Sequence, residues 1–256
     1  MSGALAGMGP QGAALALLLL GHVLADFALQ TDRMVAHKHR WGPLLAHGLV
    51  VTLVHLLVLA PMLTVSVAGL VLAIGLTHVL VDGVKARLGD PAEASLGLFA
   101  GDQLVHVLVL LVVWTQIPSQ AWTGSPVVQA LDGLPFQAWS LLATGSLYVS
   151  AFVFAGHGGN AIVQGLLPRR AMASIDAPDT NEDLGAGGTI GMLERWIVLV
   201  LAFAGQWEAI VLVVGAKSLA RFEELKSRPF AEYFLVGTLA SVLVAVLLAL
   251  LVQQLA

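Results

Sequence analysis

The chain has 256 residues, 58% of them apolar and only 11% charged, with a net charge of −4 and a mean hydropathy of +0.88. Soluble domains carry about 25% charged residues, so this composition excludes an ordinary soluble domain and predicts a polytopic membrane protein. Basic residues are too few and scattered for a nucleic-acid surface. The absence of cysteine excludes disulfides, thiolate metal sites and iron–sulfur clusters, so any metal must be held by nitrogen and oxygen.

Apolar runs long enough to span a bilayer fall at 11–30, 43–60, 64–85, 98–117, 134–156, 190–215 and 230–252. The first has no Lys or Arg before it, and His22 and Asp26 stand where a cleavage site needs small residues. It reads as a retained helix rather than a signal peptide. The loop 31–42 carries Arg33, Lys38 and Arg40, and Lys85 and Arg87 follow the third run, whereas 61–63 and 118–133 hold no Lys or Arg. The positive-inside rule then puts the N-terminus outside, the loops 31–42 and 86–97 in the cytoplasm, and 118–133 outside. The fifth span and its extension occupy 134–167. An acidic, solvated cytoplasmic linker follows at 168–189, with Arg169, Arg170 and four acids at 176–183.

Gly205, Gln206 and Glu208 interrupt the sixth run. A single crossing there would leave Lys217, Arg221, Lys226 and Arg228 outside, against the charge rule. A re-entrant pair of half-helices at 190–204 and 207–220 restores it, provided protein shelters the turn. Lys217, Arg221, Glu223, Glu224 and Lys226 read as an amphipathic interfacial helix touching anionic lipid. The expected architecture is an all-α membrane bundle of six to seven spans. A four-helix part at 1–117 carries the site, and 190–256 form a hairpin and last span.

Three times in the first 106 residues a histidine and an aspartate sit four apart: His22 and Asp26, His78 and Asp82, Asp102 and His106. This spacing puts each pair on one helix face, and ionisable groups within a span usually face the bundle interior and mark function. Measured from the cytoplasmic ends of their spans at 1.5 Å per residue, Asp26, Asp82 and Asp102 lie about 5–6 Å deep, and His22, His78 and His106 about 10–12 Å deep. The order is reversed in the fourth span, as its opposite direction requires for the same layering. His47 joins the carboxylate layer, about 6 Å deep. These donors suit zinc or manganese, and six or seven ligands exceed the needs of one structural zinc, so one or two divalent ions are expected.

In this scheme His22, Asp26, His78, Asp82, Asp102 and His106 are ligands, and His47 is a ligand or general base. Gln30 and Gln103 support the ligands, and Lys85 holds an anionic head group. His55 reads as a core histidine, His37 and His39 as solvated, His157 as a helix end, and Glu194 with Arg195 as a structural pair or a re-entrant tip.

His22 and Asp26 with Gln30, His47, His78 and Asp82 with Lys85, and Asp102-Gln103 with His106 together resemble a bacterial membrane family catalogued as domain of unknown function 3307. Gly191 with Glu194-Arg195, Lys217-Ser218 and Gly237-Thr238 resemble its longer members. That family implies no activity. A looser similarity is to membrane-bound metal-dependent hydrolases and zinc-dependent phospholipase C, whose His-x-x-x-Asp/Glu ligand pairs match His22/Asp26 and His78/Asp82, while Asp102/His106 is reversed. Three functions are compatible with these residues. The first is a metal-dependent hydrolase acting on a lipid or lipid-linked phosphoester at the cytoplasmic face. The second is a transporter or channel for divalent metal or protons, and the third is a scaffold whose cluster only staples helices. Membrane lipids are the expected partners, and the oligomeric state is left open.

Overall fold

The computed structural model describes residues 3–88, 96–167 and 181–256, with side chains of the last stretch from Gly187 onward. The side chains of residues 168–186 of the acidic linker, including Arg169, Arg170 and the acids at 176–183, lie outside it, as does most of the loop 86–97. Every regular element among the described residues is helical. They are α1 (Pro10–Val23), α2 (Asp32–Ala36), α3 (Trp41–Val58), α4 (Val65–Leu88), α5 (Leu96–Gln116), α6 (Ala121–Gly124), α7 (Pro126–Ala130), α8 (Phe136–Val153), α9 (Gly159–Leu166), α10 (Asn181–Phe203), α11 (Trp207–Ala220) and α12 (Arg228–Leu255). Six stretches among the described residues are long and apolar enough to cross a membrane: Pro10–Ala28, Trp41–Val58, Val65–Leu88, Leu96–Gln116, Phe136–Leu166 and Arg228–Leu255. The chain is an all-α polytopic helix bundle.

It divides into two compact units, one of residues 1–153 with 254–256, the other of residues 154–253. In the first unit α1 is the hub, packing on α3, α5 and α8. Its N-terminal turns are built from small residues, and Ala13, Ala14 and Ala16 are fully buried. Without a hydrophobic drive between helices in lipid, such residues let backbones approach and gain dispersion contacts. Glycines do the same between α3 and α4. A Cβ on Gly48 would stand 2.2 Å from the Val79 side chain, and one on Gly75 would stand 2.1 Å from Thr52 Oγ1. Thr31 caps α2 by accepting a bond from the Met34 N–H at 3.3 Å. Ser125 caps α7 in the same way through Val128 (3.1 Å). Its hydroxyl also donates to the Pro61 carbonyl at 2.7 Å. That bond places the loop after α3 beside the loop after α5, as alternating spans require.

Two features depart from simple helices. At the end of α1 the backbone widens into a π turn over Leu24–Ala28, with the Leu29 N–H bonded to the Leu24 carbonyl at 2.9 Å. A second π turn, Phe154–Gly158, follows α8.

In the second unit the interruption expected near Gly205 is a helix break. The Gly205 N–H bonds to the Ala202 carbonyl (3.1 Å) and the Gln206 N–H to the Leu201 carbonyl (2.8 Å). With Gly205 at φ +70°, these two bonds close α10 on a left-handed glycine. Helix α11 then starts at Trp207 and packs back on α10. The first of the two helices starts at Asn181, nine residues before the expected 190. The amphipathic helix expected at 217–226 does not form. α11 ends at Ala220, and Glu224–Lys226 is a single 3-10 turn. Exposed local ion pairs, Arg221 with Glu224 and Lys226 with Glu223, satisfy the charges there without a helical face.

Candidate metal centre

Five of the eight histidines are buried, and all five belong to the first unit. Four of them, with three aspartates, meet where α1, α3, α4 and α5 converge. α1 delivers His22, its π turn Asp26, α3 His47, α4 His78 and Asp82, and α5 Asp102 and His106. Every residue that the spacing marks as a ligand is therefore in one cluster.

The closest contacts run between helices rather than within the i,i+4 pairs. Within pairs, His22 Nδ1 is 3.8 Å from Asp26 Oδ2, His78 Nε2 is 3.5 Å from Asp82 Oδ2, and His106 Nδ1 is 3.6 Å from Asp102 Oδ1. Across helices, His47 Nε2 is 2.9 Å from His78 Nε2. Asp26 Oδ1 is 3.3 Å from His47 Nε2 and 3.2 Å from His78 Nε2. Asp26 sits on the π turn. Its extra residue per turn rotates Asp26 off the register that i,i+4 spacing would give it and toward α3 and α4.

Asp82 Oδ2 completes the group, 3.5 Å from each of the same two nitrogens. Two imidazole nitrogens thus face each other, with a carboxylate oxygen on hand from each of two helices. Donors bound at 2.0–2.1 Å around a zinc stand about 3.3 Å apart, and the separations of the two imidazole nitrogens from each other and from the two carboxylate oxygens, 2.9–3.5 Å, bracket that value. Asp26 Oδ1 accepts no hydrogen bond despite its two near neighbours. Buried polar atoms are rarely left so, and a cation shared among the four donors would satisfy it. The donor set fits zinc or manganese.

The surrounding groups hold these donors in place. The Gln30 side-chain amide stands 2.7 Å from His47 Nε2, and the Gln103 carbonyl oxygen 3.1 Å from His22 Nε2. His22 stacks on His106 at 5.2 Å between centroids, and His78 lies 4.1 Å from His106. Lys85 donates to Asp102 Oδ2 at 2.6 Å. Spacing alone misses Lys38, which donates to Asp82 Oδ2 at 2.6 Å from the turn after α2. It lies in a loop, where no periodicity marks a side chain as inward-facing.

His55 is buried apart from these contacts, its Nδ1 bonded to the Val51 carbonyl at 2.8 Å and its ring against Gly21. His37 bonds its ring nitrogen to the Arg33 carbonyl (2.9 Å), and His39 is exposed. His157 is exposed in the second unit. There Glu194 takes Lys217 as its partner at 2.6 Å. The expected pairing of Glu194 with Arg195 gives way because adjacent helical residues point apart. Arg195, fully buried, turns to the second π turn instead. It donates to the Ala155 carbonyl, to the Gly156 carbonyl at 2.9 Å and to Asn160 Oδ1. A Cβ on Gly159 would stand 2.5 Å from its Nε, so only glycine fits beside it.

Residues 14–130 match the model of a family described as a protein of unknown function, DUF3307. The match covers less than half of the 256 residues. The match runs from α1 to α7 and contains every residue of the buried cluster. No curated protein and no solved structure matches the chain.

Proposed function

We propose that the DUF3307 stretch is a divalent-metal-dependent hydrolase of the bacterial inner membrane, acting at its cytoplasmic face on a lipid or lipid-linked phosphoester. The observation that carries this reading is the group of Asp26 Oδ1, His47 Nε2, His78 Nε2 and Asp82 Oδ2, in which the two imidazole nitrogens lie 2.9 Å apart and 3.2–3.5 Å from each carboxylate oxygen. A helix staple alone would be expected to saturate its own hydrogen bonds, whereas this cluster leaves buried atoms of Asp26, Asp102 and His106 without partners.

Zinc or manganese held there would act as a Lewis acid toward a phosphoryl oxygen and lower the pKa of attacking water. His47 belongs with the ligands, because its Nε2 faces the other three donors. Gln103 fixes the imidazole of His22, while Gln30, which lies against His47 Nε2, would give way to the ion. Lys38 and Lys85 border the carboxylates, and Lys85, a third of whose side chain is exposed, can turn to an anion at the membrane surface. Three carboxylates against two ammonium groups leave a net charge of −1, so one dication makes the cluster positive and suited to an anionic substrate.

Protein purified without a metal-affinity tag should carry zinc or manganese, and a folded His78→Ala/Asp82→Ala variant should carry at least tenfold less. The same variant should lose metal-dependent release of phosphate or head group from lipid phosphoesters. A stable wild type that holds no metal, and takes up neither zinc nor manganese when offered them, would sink the reading.

A further inference from the structure

We infer that the centre is dinuclear, with Asp82 as the carboxylate bridging two divalent ions. This rests on the reading of the cluster as a metal centre and goes beyond it in the number of ions and the residue that joins them. Asp82 belongs to two separate triads of donor atoms, each triad lying within 4.8 Å: His47, His78 and Asp82 on one side, and Asp82, Asp102 and His106 on the other.

The first triad belongs to the tetrahedral group already described. The second is built from α4 and α5, and its own atoms point to a missing ligand. Asp102 Oδ1 and His106 Nε2 are both buried and have no hydrogen-bond partner, while the residues themselves are only 8% and 4% exposed. His106 Nδ1 is spent on the Asp102 backbone carbonyl at 2.9 Å, which holds the ring and leaves Nε2 as its free donor atom. A metal-bound imidazole is oriented in this way by a bond from its other nitrogen.

Two ammonium groups border this second triad, Lys38 at 2.6 Å from Asp82 Oδ2 and Lys85 at 2.6 Å from Asp102 Oδ2. The Lys85 side chain is 35% exposed against 14% for Lys38, so it can leave for the aqueous rim when a dication arrives. A carboxylate has two oxygens and can serve two ions at once. Asp82 Oδ2 already faces His47, His78 and Lys38, so a second ion would take the other oxygen. Two ions joined by one carboxylate are the arrangement by which two-metal hydrolases clamp the attacking and leaving oxygens of a phosphoester.

The full chain in detergent, stripped with chelator and dialysed against excess manganese, tests this by metal stoichiometry and electron paramagnetic resonance. Two ions per chain with an exchange-coupled manganese spectrum are expected. His106→Gln and Asp102→Asn, each checked for native helicity and elution volume, should retain one ion and an uncoupled spectrum. One ion in wild type, or two ions without coupling, would overturn the dinuclear centre while leaving the mononuclear hydrolase standing. No bound manganese or zinc at all would remove both. Should either variant fail to fold, the wild-type stoichiometry and coupling decide the question alone.

Discussion

Lys38 lends its ammonium to Asp82 deep in a cluster where that carboxylate is almost wholly enclosed. Removing one partner of a buried ion pair leaves an uncompensated charge and typically costs about 3–5 kcal/mol. Lys38→Met is therefore expected to destabilise the metal-free protein by about 3 kcal/mol, and excess zinc should recover most of that loss by supplying the missing charge. Thermal unfolding in detergent with chelator and with zinc measures both, and equal losses in the two conditions would show that Lys38 does not compete with metal for Asp82. At this scale the histidines and aspartates were legible because helical period four leaves a mark in a nearly uncharged sequence. Lys38 was not, since it arrives from a turn whose course depends on how α2 is capped. The same holds for Glu194, whose partner Lys217 is 23 residues away across a helix break.

Between elements, the 2.9 Å approach of His47 and His78 depends on how closely α3 and α4 can lie. Gly48 follows His47 directly and Gly75 precedes His78 by less than one turn, and neither position has room for a Cβ. Gly75→Val should push the helices apart, cost about 1–3 kcal/mol and lower bound metal severalfold, although no ligand is altered. Calorimetry and elemental analysis check the two effects separately, and metal retained in full despite a lower melting temperature would free the site from this packing. The helices themselves could be read from apolar run length, and the break at Gly205 from the polar interruption around it. The two π turns could not. They differ from an α-helix by a single residue of winding, which leaves no compositional trace.

For the whole molecule, the proposed reaction requires the cluster to face the cytoplasm. Basic loops at 31–42 and after Val65–Leu88 favour the cytoplasm. The bond from Ser125 to Pro61 puts two Lys- and Arg-free loops together at the other end. Because the chain has no cysteine of its own, single substitutions report cleanly. A membrane-impermeant maleimide should label Ser119→Cys in intact cells with the outer membrane permeabilised, and His39→Cys only after the inner membrane is opened. The reverse pattern would move the proposed chemistry to the outer face. Composition revealed the class of protein at once, whereas the division after Val153 lies within a continuous apolar run and has no signature in it.

The π turn at Leu24–Ala28 bears on how this centre can arise and be lost. A π turn is an α-helix with one residue too many, so Asp26 owes its reach toward α3 and α4 to the length of α1 as much as to its own carboxylate. Point substitutions around Asp26 can preserve that aim, whereas excision of a single neighbour such as Ala25 would let the helix close into regular winding and swing the carboxylate about a quarter-turn away. In descent, then, the gain or loss of one codon in this stretch separates a chain that can gather its donors from one that keeps every ligand in its sequence and cannot.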